Sequence, residues 1–541
     1  MTTVSNALLL SIINTAADDI VKEQVTTTHF LSYFLFGGIY LYTRHHLFDK
    51  FFFFIDGTVA RLQDRLGNKI RHTELSTLEK VGASSIYARL TEDMTYLSLI
   101  SWSLMRSIHA IFVMLSILLY IATLSGWAFV AVLIGVSASV VNFIFKADET
   151  AKNYFDLAKK ETLFLNKLNH LLEGFKEMKI NGKKSNQVFS DYEKASTSRG
   201  DSRMVAFQFY NINTSFAYAC FFVMITAVVF VLPHYHSEYP ETIIKITAAI
   251  LFIFGPIESL LNALPSLAIA EYGVQNILGL EKELDSSLKS QKKKMHTQKT
   301  NNETPTFREN IQLENLIYEY EHQDSAHAFG IGPMTIRFQK GEIIFITGGN
   351  GSGKSTFLKM FTGLYVPKSG EIYLDRDLKS GKDGTLITAA NYTEYRNLFT
   401  TLFTDFHLFD RLYGLEDTPE KEVNDLLRRM GLSEQKAHYQ NGRFSNIQLS
   451  SGQKKRLALI ICILEDKDIY ILDEVAADLD PDFRDVYYYE ILQELKARQK
   501  TVFVVSHDKD YWDAADRIIE LKKGQFHEHI VQHRTVSKLA D

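Results

Sequence analysis

Cysteine is scarce in this sequence, and its scarcity narrows the possible classes of protein. Only Cys220 and Cys462 occur among 541 residues, the first in an apolar run and the second in a later, more polar region. Two thiols so far apart supply neither a disulfide framework nor a cysteine metal site. Both are therefore interpreted as small core residues.

A strong net charge is also lacking. The formal charge is -5 and the isoelectric point is about 6.4. Proteins that bind nucleic acid usually present a basic surface, and these values give no electrostatic reason to expect one. We therefore expect no nucleic-acid partner.

Apolar residues, in contrast, are abundant and lie mainly in the first half of the chain. They make up 46% of the sequence, with 38 Phe and 26 Tyr. Runs that approach or exceed the roughly 20 residues needed to cross a bilayer occupy 29–54, 99–122, 125–146, 206–232 and 243–267. A sixth run, 7–13, is too short to span alone and is either the end of a longer span or an interfacial segment. The sequence predicts a half embedded in a lipid bilayer, followed by a soluble half.

Basic residues are distributed unevenly between the connections of these runs. The connections 56–96 and 147–205 are rich in Lys and Arg, whereas 122–125 and 233–242 contain neither. Because cytoplasmic loops carry the excess of basic residues, the two long connections are expected to face the cytoplasm. Both also show helical apolar spacing, and we expect them to extend the spans as helical rods.

A phosphate-binding loop opens the soluble half. The stretch Gly348 to Ser355, GGNGSGKS, fits the pattern GxxxxGK[ST] between a predicted strand and a predicted helix. Its glycines expose amides to phosphates, Lys354 reaches the β and γ oxygens, and Ser355 can bind Mg²⁺. A chance glycine turn is the alternative, and the strand–loop–helix context opposes it.

The organisation predicted from these patterns is multidomain. An all-α transmembrane helical domain is expected over 1–285 and a polar, basic linker over 286–309. An α/β P-loop NTPase domain that uses ATP and Mg²⁺ is expected over 310–541, where short strand-like runs alternate with helices.

Two later strands end in residues suited to ATP chemistry. Asp473 and Glu474 follow four apolar residues. This is the arrangement expected of an aspartate that coordinates Mg²⁺, followed by a carboxylate that polarises water. The second carboxylate can alternatively be a surface charge. His507 ends the run "VFVVSH" and can sense a γ-phosphate, although a lone histidine after a strand is commonly structural.

The segment "LSSGQKKR", 449–456, has small residues at the start of a predicted helix, which suits an anion. These motifs resemble, in order and spacing, the ABC transporter family. "LEKVGASSIYARLTEDM", 78–94, is similar to the first cytoplasmic connection of ABC exporters, and a membrane half before an ATPase is the order of an exporter half-transporter. The resemblance implies that LSSGQ binds the nucleotide held by the phosphate loop of a second copy, and hence a homodimer with two ATPs at its interface.

The resemblance also implies roles for individual residues. Tyr320 would stack on adenine, Glu474 would be the general base, His507 the switch histidine, and 477–480 the D-loop. The implied nucleotide-binding set is Tyr320, Gly348, Asn350, Gly351, Ser352, Gly353, Lys354, Ser355, Thr356, Thr404, Ser450, Ser451, Gly452, Gln453 and Asp480. The implied Mg²⁺ ligands are Ser355 and, through water, Asp473.

Three positions depart from the family pattern. Thr404 stands where the family usually has a glutamine that touches Mg²⁺ and links the ATPase to the membrane half. Thr404 or Asp405 can take that place through a water molecule. Ser451 replaces a glycine and Val475 replaces a proline, and both changes are mild.

"FTDFHLFD" and "LFIFGPIESLLNALPSLAIAE" resemble the cyclic-peptide and siderophore exporter branch of bacterial ABC transporters. Gly255-Pro256 is expected to bend the last span. Glu258, which follows it, is either functional or paired with another helix. Gln208 and Asn211 either line a polar cavity or join helices through hydrogen bonds. These three residues and Asn262 form the predicted substrate pathway.

The expected function is ATP-driven export of a cyclic or non-ribosomal peptide or a peptide siderophore across the bacterial cytoplasmic membrane, with the ATPase in the cytoplasm. Export of lipids or of diverse drugs is an alternative with the same fold. A membrane ATPase that transports nothing and regulates a partner is an alternative of another class.

Overall fold

The computed structural model of the protein describes residues 2–21, 27–235, 240–297, 304–320, 330–377, 381, 383–432 and 436–530. The chain divides into two compact units. The first is helical and comprises Met1–Thr73 and Thr77–Ser286. The second contains all the described strands and comprises Glu74–Ser76 and Ser287–Asp541.

The helical unit is built from helices that differ widely in length. They are α1 (Thr2–Val21), α2 (Thr27–His72), α3 (Leu75–Val81), α4 (Ala83–Ala88), α5 (Met94–Leu124), α6 (Gly126–Glu173), α7 (Phe175–Ile180), α8 (Gly182–Thr226), α9 (Leu232–Tyr235), α10 (Pro240–Leu261) and α11 (Ala263–Thr297). π-helical turns at Arg89–Asp93 and Ala227–Val231 join α4 to α5 and α8 to α9.

Among the described residues, four helical stretches are long and apolar enough to cross a membrane. They are Ala83–Leu124, Gly126–Glu173, Gly182–Tyr235 and Thr242–Lys289, and they contain four of the five predicted runs. The fifth run, 29–54, lies within the 46-residue helix α2, which is not among the four. The short run 7–13 is the middle of the 20-residue helix α1. The helix therefore extends beyond the apolar run on both sides.

The last span is interrupted a few residues after the bend predicted at Gly255-Pro256. Pro256 is inside α10, and the helix continues past it to Leu261. The break comes at Asn262, between α10 and α11. Pro265 lacks an amide hydrogen and therefore cannot bond the carbonyl of Leu261, and it occupies the first turn of α11, where a proline is tolerated.

The predicted linker is shorter than 286–309. Helix α11 continues to Thr297, so the lysine-rich segment that we expected to lack periodic structure is the end of a helix. Lysine and glutamine favour helix formation intrinsically, which explains the difference. Residues 298–303 of the predicted linker lie outside the described residues.

The long connections are helical, as their spacing predicted. Helices α6 and α8 contain 48 and 45 residues and pack against each other. The guanidinium of Arg199 on α8 forms an ion pair with Glu161 of α6 at 3.0 Å and lies 3.9 Å from the ring of Phe164. These contacts hold the two rods together.

The second unit is an α/β unit with two main sheets among its described residues. Its strands are β1 (Asn310–Glu319), β2 (Gly330–Gln339), β3 (Ile343–Thr347), β4 (Ser369–Leu374), β5 (Thr385–Ile387), β6 (Phe399–Leu402), β7 (Tyr439–Gln440), β8 (Arg443–Phe444), β9 (Ile469–Asp473), β10 (Thr501–Val505), β11 (Arg517–Lys522) and β12 (Gln525–Ile530). Its helices are α12 (Lys354–Phe361), α13 (Tyr392–Arg396), α14 (Glu420–Arg429), α15 (Ser451–Glu465), α16 (Pro481–Asp485) and α17 (Leu492–Ala497).

The larger sheet has the strand order β12-β11-β3-β10-β9-β6, and β1, β2, β4 and β5 form an antiparallel sheet in the order β2-β1-β4-β5. In the larger sheet β11, β3, β10, β9 and β6 pair in parallel. Consecutive residues of β3 enter two different hydrophobic cores, Ile343 and Phe345 on one face and Ile344 and Ile346 on the other. A strand buried on both faces reads as a continuous apolar run, which is the pattern the sequence shows.

The sheet register brings the predicted motifs together. Val505, the last residue of β10, lies opposite Asp473 of β9 and Ile346 of β3. The carboxyl ends of three neighbouring parallel strands therefore meet at one edge. The phosphate loop, the acidic pair and the His507 segment leave the sheet at this edge, where such sheets place their chemistry.

The two cysteines are free thiols. Cys462 is buried in α15, and burial raises the pKa of its thiol to about 12. Cys220 in α8 is half-buried. The interpretation as a core residue is confirmed for Cys462, and Cys220 is only partly enclosed.

Candidate functional site: an ATP site at the sheet edge

The phosphate loop connects β3 to α12 through three glycines with left-handed or related backbone angles. Gly348, Gly351 and Gly353 have φ of 146°, 73° and 102°. A Cβ on Gly348 would lie 2.4 Å from the carbonyl oxygen of Leu521. Only glycine meets both conditions, and the backbone amides of the loop can therefore approach a phosphate closely.

Two side chains of the loop point to an anionic ligand. The Lys354 ammonium is buried and donates to the carbonyl oxygens of Gly348 and Gly349 at 2.8 and 3.2 Å. The Ser352 hydroxyl is buried and has no hydrogen-bond partner in the described part of the chain. A buried hydroxyl without a partner is costly, and a phosphate oxygen would satisfy it. The loop thus fits the phosphates of a nucleotide.

The aspartate of the acidic pair is enclosed. Asp473 is 3% exposed, and burial raises the pKa of its carboxyl above the ordinary value, although the hydrogen bond from Thr404 and the charge of Lys354 oppose the rise. The Thr404 hydroxyl donates to its carboxylate at 3.2 Å. Carboxylate and hydroxyl oxygens are the ligands Mg²⁺ prefers, so Asp473 and Ser355 fit the ion.

The second carboxylate has an unusual backbone conformation. Glu474 has a φ of 52°, which is rare for a residue with a side chain. Its amide donates to the carbonyl oxygen of Val505 at 3.1 Å. Its carboxylate lies 3.6 Å from the His507 ring and is about one-third exposed. The structure thus brings Glu474 and His507 together beside Asp473, in the arrangement a general base and a γ-phosphate sensor would need.

Tyr320 lies beside the phosphate-loop helix. Its hydroxyl is 2.9 Å from the Thr356 hydroxyl in α12. Its ring meets those of Tyr318 and Tyr365 edge to face, with centroids 5.2 and 6.0 Å apart. An aromatic ring held next to the phosphate loop is in a suitable place to stack on a nucleotide base.

The signature segment starts a helix elsewhere in the same unit. Ser450 caps α15 by accepting from the Gln453 amide, and the Gln453 side chain accepts from the Ser450 amide at 3.2 Å. Gly452 contacts the D-loop so closely that a Cβ would lie 2.4 Å from the carbonyl oxygen of Asp478. Asp480 caps α16 and forms an ion pair with Arg456.

The signature and the D-loop line a cavity of about 530 Å³. Its lining residues are Gly431, Lys436, Ser450, Ser451, Gly452, Gln453, Arg456, Ala477, Asp478, Leu479 and Asp480. None of them belongs to the phosphate loop. The structure therefore brings Ser450, Ser451, Gly452, Gln453 and Asp480 together, but at a place apart from the loop of the same chain.

Two residues that the sequence reading missed contact the motif residues directly. The Lys455 ammonium lies 2.6 Å from the carbonyl oxygen of Glu474. The Tyr488 hydroxyl lies 2.7 Å from the Ser506 hydroxyl and 3.3 Å from the Asp508 carboxylate, on either side of His507. The signal for Lys455 was the basic run after the signature, whereas nothing in the local sequence marked Tyr488.

The candidate pathway residues of the helical unit are less closely assembled. Gln208, Asn211 and Glu258 are exposed in the single chain, and no described basic residue forms an ion pair with Glu258. Asn262, at the helix break, accepts a hydrogen bond from Tyr210 of α8. The structure thus joins the Asn262 side chain to α8, and the Asn262 amide donates to the backbone carbonyl of Glu258 at 3.0 Å.

Long membrane helices together with a phosphate-loop site at a parallel sheet edge define a membrane ATPase. A model of the family described as ABC transporter matches residues 331–477. The chain is 30% identical over 480 residues to the ATP-binding protein SyrD of Pseudomonas syringae pv. syringae, which covers 86% of this chain and 82% of the relative.

The chain is also 29% identical over 232 residues to the energy-coupling factor transporter ATP-binding protein EcfA1 of Mycoplasma mobile. This match covers 40% of this chain and 77% of the relative. The structure of a bacterial Atm1-family ABC exporter with ATP bound superposes with a TM-score of 0.69 at 15% identity, over 97% of this chain and 91% of that chain.

The chain belongs to the ABC transporter family, and its fold is that of an ABC exporter half-transporter. The predicted fold class, a transmembrane helical domain followed by an α/β ATP-binding domain, is confirmed. The chain is accordingly a membrane protein whose activity is ATP hydrolysis coupled to transport.

Proposed function

We propose that this protein is a homodimeric exporter of a cyclic or non-ribosomal peptide or a peptide siderophore, located in the bacterial cytoplasmic membrane with its ATP-binding unit in the cytoplasm. The observation that carries the proposal is the similarity to SyrD across both halves of the chain. The resemblance of "FTDFHLFD" and of the last span to the peptide-exporter branch supports the same class of cargo.

In this proposal the residues at the sheet edge divide the work of hydrolysis. The amides of the phosphate loop, Lys354 and the Ser352 hydroxyl hold the phosphates, while Ser355 and Asp473 hold Mg²⁺, which when bound neutralises the developing charge. Glu474 accepts the proton of the attacking water, and His507 beside it contacts the γ-phosphate. The Thr404 hydroxyl orients Asp473. Thr404 occupies the position at which other members of the family usually carry a glutamine.

A second copy of the chain completes each ATP site. The signature cavity contains no phosphate-loop residue, which leaves Ser450, Ser451, Gly452 and Gln453 free to serve a nucleotide held by the partner. Two copies related by a twofold axis would form two equivalent sites, because such an interface is self-complementary.

The cargo path is assigned to the polar side chains of the helical unit. Glu258 is an exposed carboxylate within an apolar helix, and ionisable residues in membrane helices generally face a cavity or a partner. Gln208 and Asn211 on α8 and Asn262 at the helix break offer hydrogen bonds of the kind a peptide backbone accepts and donates.

The experiment that tests this function is ATPase turnover of the purified dimer in lipid nanodiscs against cyclic peptides, peptide siderophores, lipids and amphiphilic drugs, with Glu474→Gln as the blank. Saturable stimulation confined to the cyclic or siderophore peptides is expected. Stimulation by lipids or drugs alone would contradict the cargo class and leave ATP-driven export intact.

A second assay separates export from regulation of a partner. In inside-out vesicles the wild-type protein is expected to accumulate the stimulating peptide when ATP is supplied, and Glu474→Gln is expected not to. ATP hydrolysis without accumulation of any compound in the panel would favour a membrane ATPase that transports nothing.

A further inference from the structure

Three basic residues follow the signature in α15, and they differ in their surroundings. Lys454 is exposed. Lys455 and Arg456 face the segment 474–480, which begins at the catalytic carboxylate and ends at the D-loop. The Lys455 side chain is only 7% exposed, and a lysine is rarely buried to this extent unless its charge is paired.

The Lys455 ammonium has two partners on that segment. It donates to the carbonyl oxygen of Glu474 at 2.6 Å and forms an ion pair with the Asp478 carboxylate at 2.8 Å. One side chain of the signature helix therefore contacts both the residue proposed as general base and the D-loop. Buried charge-assisted hydrogen bonds of this kind fix geometry more firmly than neutral ones.

The backbone of Glu474 needs such support. Its φ of 52° lies in the left-handed region, which a residue with a side chain keeps only when its surroundings hold it there. The Glu474 amide is held by the carbonyl of Val505 at 3.1 Å, and the Glu474 carbonyl is held by Lys455. The two bonds hold the residue from β10 on one side and from α15 on the other.

Two further contacts fasten the same segment to α15. The first is the close approach of Gly452 to the carbonyl oxygen of Asp478, which leaves no room for a Cβ. The second is the ion pair between Arg456 and Asp480, in which the Arg456 guanidinium also lies 4.0 Å from the Phe483 ring. A displacement of the signature helix is thus transmitted to residues 474–480 instead of being absorbed by a flexible loop.

We propose that Lys455 is a positioning residue that couples the signature of one copy to the general base Glu474 of the same copy. The inference rests on the proposed function, because it takes Glu474 as the base and takes the signature as serving the partner's nucleotide. When the signature engages that nucleotide, Lys455 carries the movement of α15 to the Glu474 backbone, so that occupation of its signature accelerates the hydrolysis of each copy's own ATP.

The test compares Lys455→Met with Lys454→Met in the full-length dimer. Lys454→Met is the matched control, because it removes an exposed charge one residue away. Lys455→Met is expected to lower kcat for ATP on the order of tenfold, within the range that a misplaced general base can cost. The KM for ATP is expected to change less than about twofold, since the phosphate loop is untouched. The Hill coefficient for ATP is expected to fall toward 1, and Lys454→Met is expected to change none of these values.

Two additional variants distinguish positioning from general loss of structure. Lys455→Arg, which keeps the charge and the donors, is expected to recover most of the turnover. In a Glu474→Gln background, Lys455→Met is expected to have no further effect on the residual rate, because two residues that act through one step are not additive.

Equal turnover in Lys455→Met and Lys454→Met, or a loss in Lys455→Met that adds in full to that of Glu474→Gln, would overturn the inference. If Lys455→Met does not fold, a folded Lys455→Arg variant that fails to recover most of the wild-type kcat would also overturn it. Normal turnover of Glu474→Gln alone would instead contradict the proposed role of Glu474, so the two failures are distinguishable.

Discussion

The two units of the protein differ in how far one chain encloses their candidate functional side chains. In the ATP-binding unit, Asp473 and Lys354 are buried and hydrogen-bonded within one chain. In the helical unit, Gln208, Asn211 and Glu258 are exposed. The comparison shows that a single chain already encloses Lys354 and Asp473 at the candidate ATP site, whereas the side chains proposed for the cargo path remain exposed in one chain.

The largest effect is expected from the ATP-binding unit, at Glu474. Glu474→Gln keeps the size of the side chain and removes its ability to accept a proton, so ATPase turnover should fall by about two to three orders of magnitude. Release of inorganic phosphate measures the loss, and binding of a fluorescent ATP analogue should be unchanged. A fall of less than about threefold would show that another group takes the proton.

A smaller effect is expected at the contact between signature and D-loop. Gly452→Ala places a methyl group 2.4 Å from the Asp478 carbonyl oxygen, which forces α15 and the D-loop apart. Since a displacement of about 1 Å can cost up to a hundredfold, turnover should fall on the order of tenfold. Steady-state ATPase assays measure it, with Lys454→Ala as the control. Unchanged turnover would show that the two segments need not be in close contact.

The corresponding change in the helical unit should leave basal hydrolysis unaltered. Glu258→Gln removes a charge within an apolar helix, and we expect the stimulation of ATPase by the cargo to fall about threefold, as befits a functional ionisable residue in a membrane helix. Glu271→Gln, which removes an exposed carboxylate from α11, is the matched control. Equal stimulation in both variants would place the cargo path elsewhere.

The smallest effect concerns stability. Burial raises the pKa of Asp473, so at neutral pH its ionised form costs stability, and this cost disappears as the pH falls through the raised value toward the ordinary one of about 3.9. Asp473→Asn should therefore raise the unfolding temperature at pH 7 by roughly 3 °C, corresponding to about 1 kcal/mol.

The same thermal measurement at lower pH supplies the control for that prediction. The difference between Asp473→Asn and the wild type should shrink as the pH is lowered, because the wild-type carboxyl then becomes neutral as well. A difference that grows on acidification would show that Asp473 is stabilised as a carboxylate.

The comparison also shows what the sequence could and could not predict. Short motifs at strand ends were enough to foresee where Lys354, Asp473 and His507 meet, because parallel strands align their carboxyl ends. The break at Asn262 was not predicted, since a proline inside a helix, here Pro256, does not by itself say which neighbouring turn will open. The contacts of Lys455 and Tyr488 depend on how α15 and the helical segment 486–491 pack on the sheet, and local patterns do not encode that packing.

Helix continuation past residue 285 was missed for a related reason. A polar, lysine-rich segment can be a linker or the exposed end of a long helix, and its composition is the same in both cases. The run 29–54 was predicted as a span although it contains Arg44, His45, His46, Asp49 and Lys50. These residues lower its hydropathy, and α2 is not among the four stretches apolar enough to cross a membrane.

The most direct test of the account is a complementation experiment between two impaired variants. As homodimers, Lys354→Ala is expected to be nearly inactive because its phosphate loop is disabled, and Gly452→Ala is expected to retain about a tenth of wild-type turnover. If the phosphate loop of one copy works with the signature of the other, a mixed dimer has one site with both defects and one site whose phosphate loop and signature are both unaltered, so purified mixed dimers should turn over ATP faster than either parent. Mixed dimers no more active than the Gly452→Ala parent would contradict the account, because each site would then be built within a single chain.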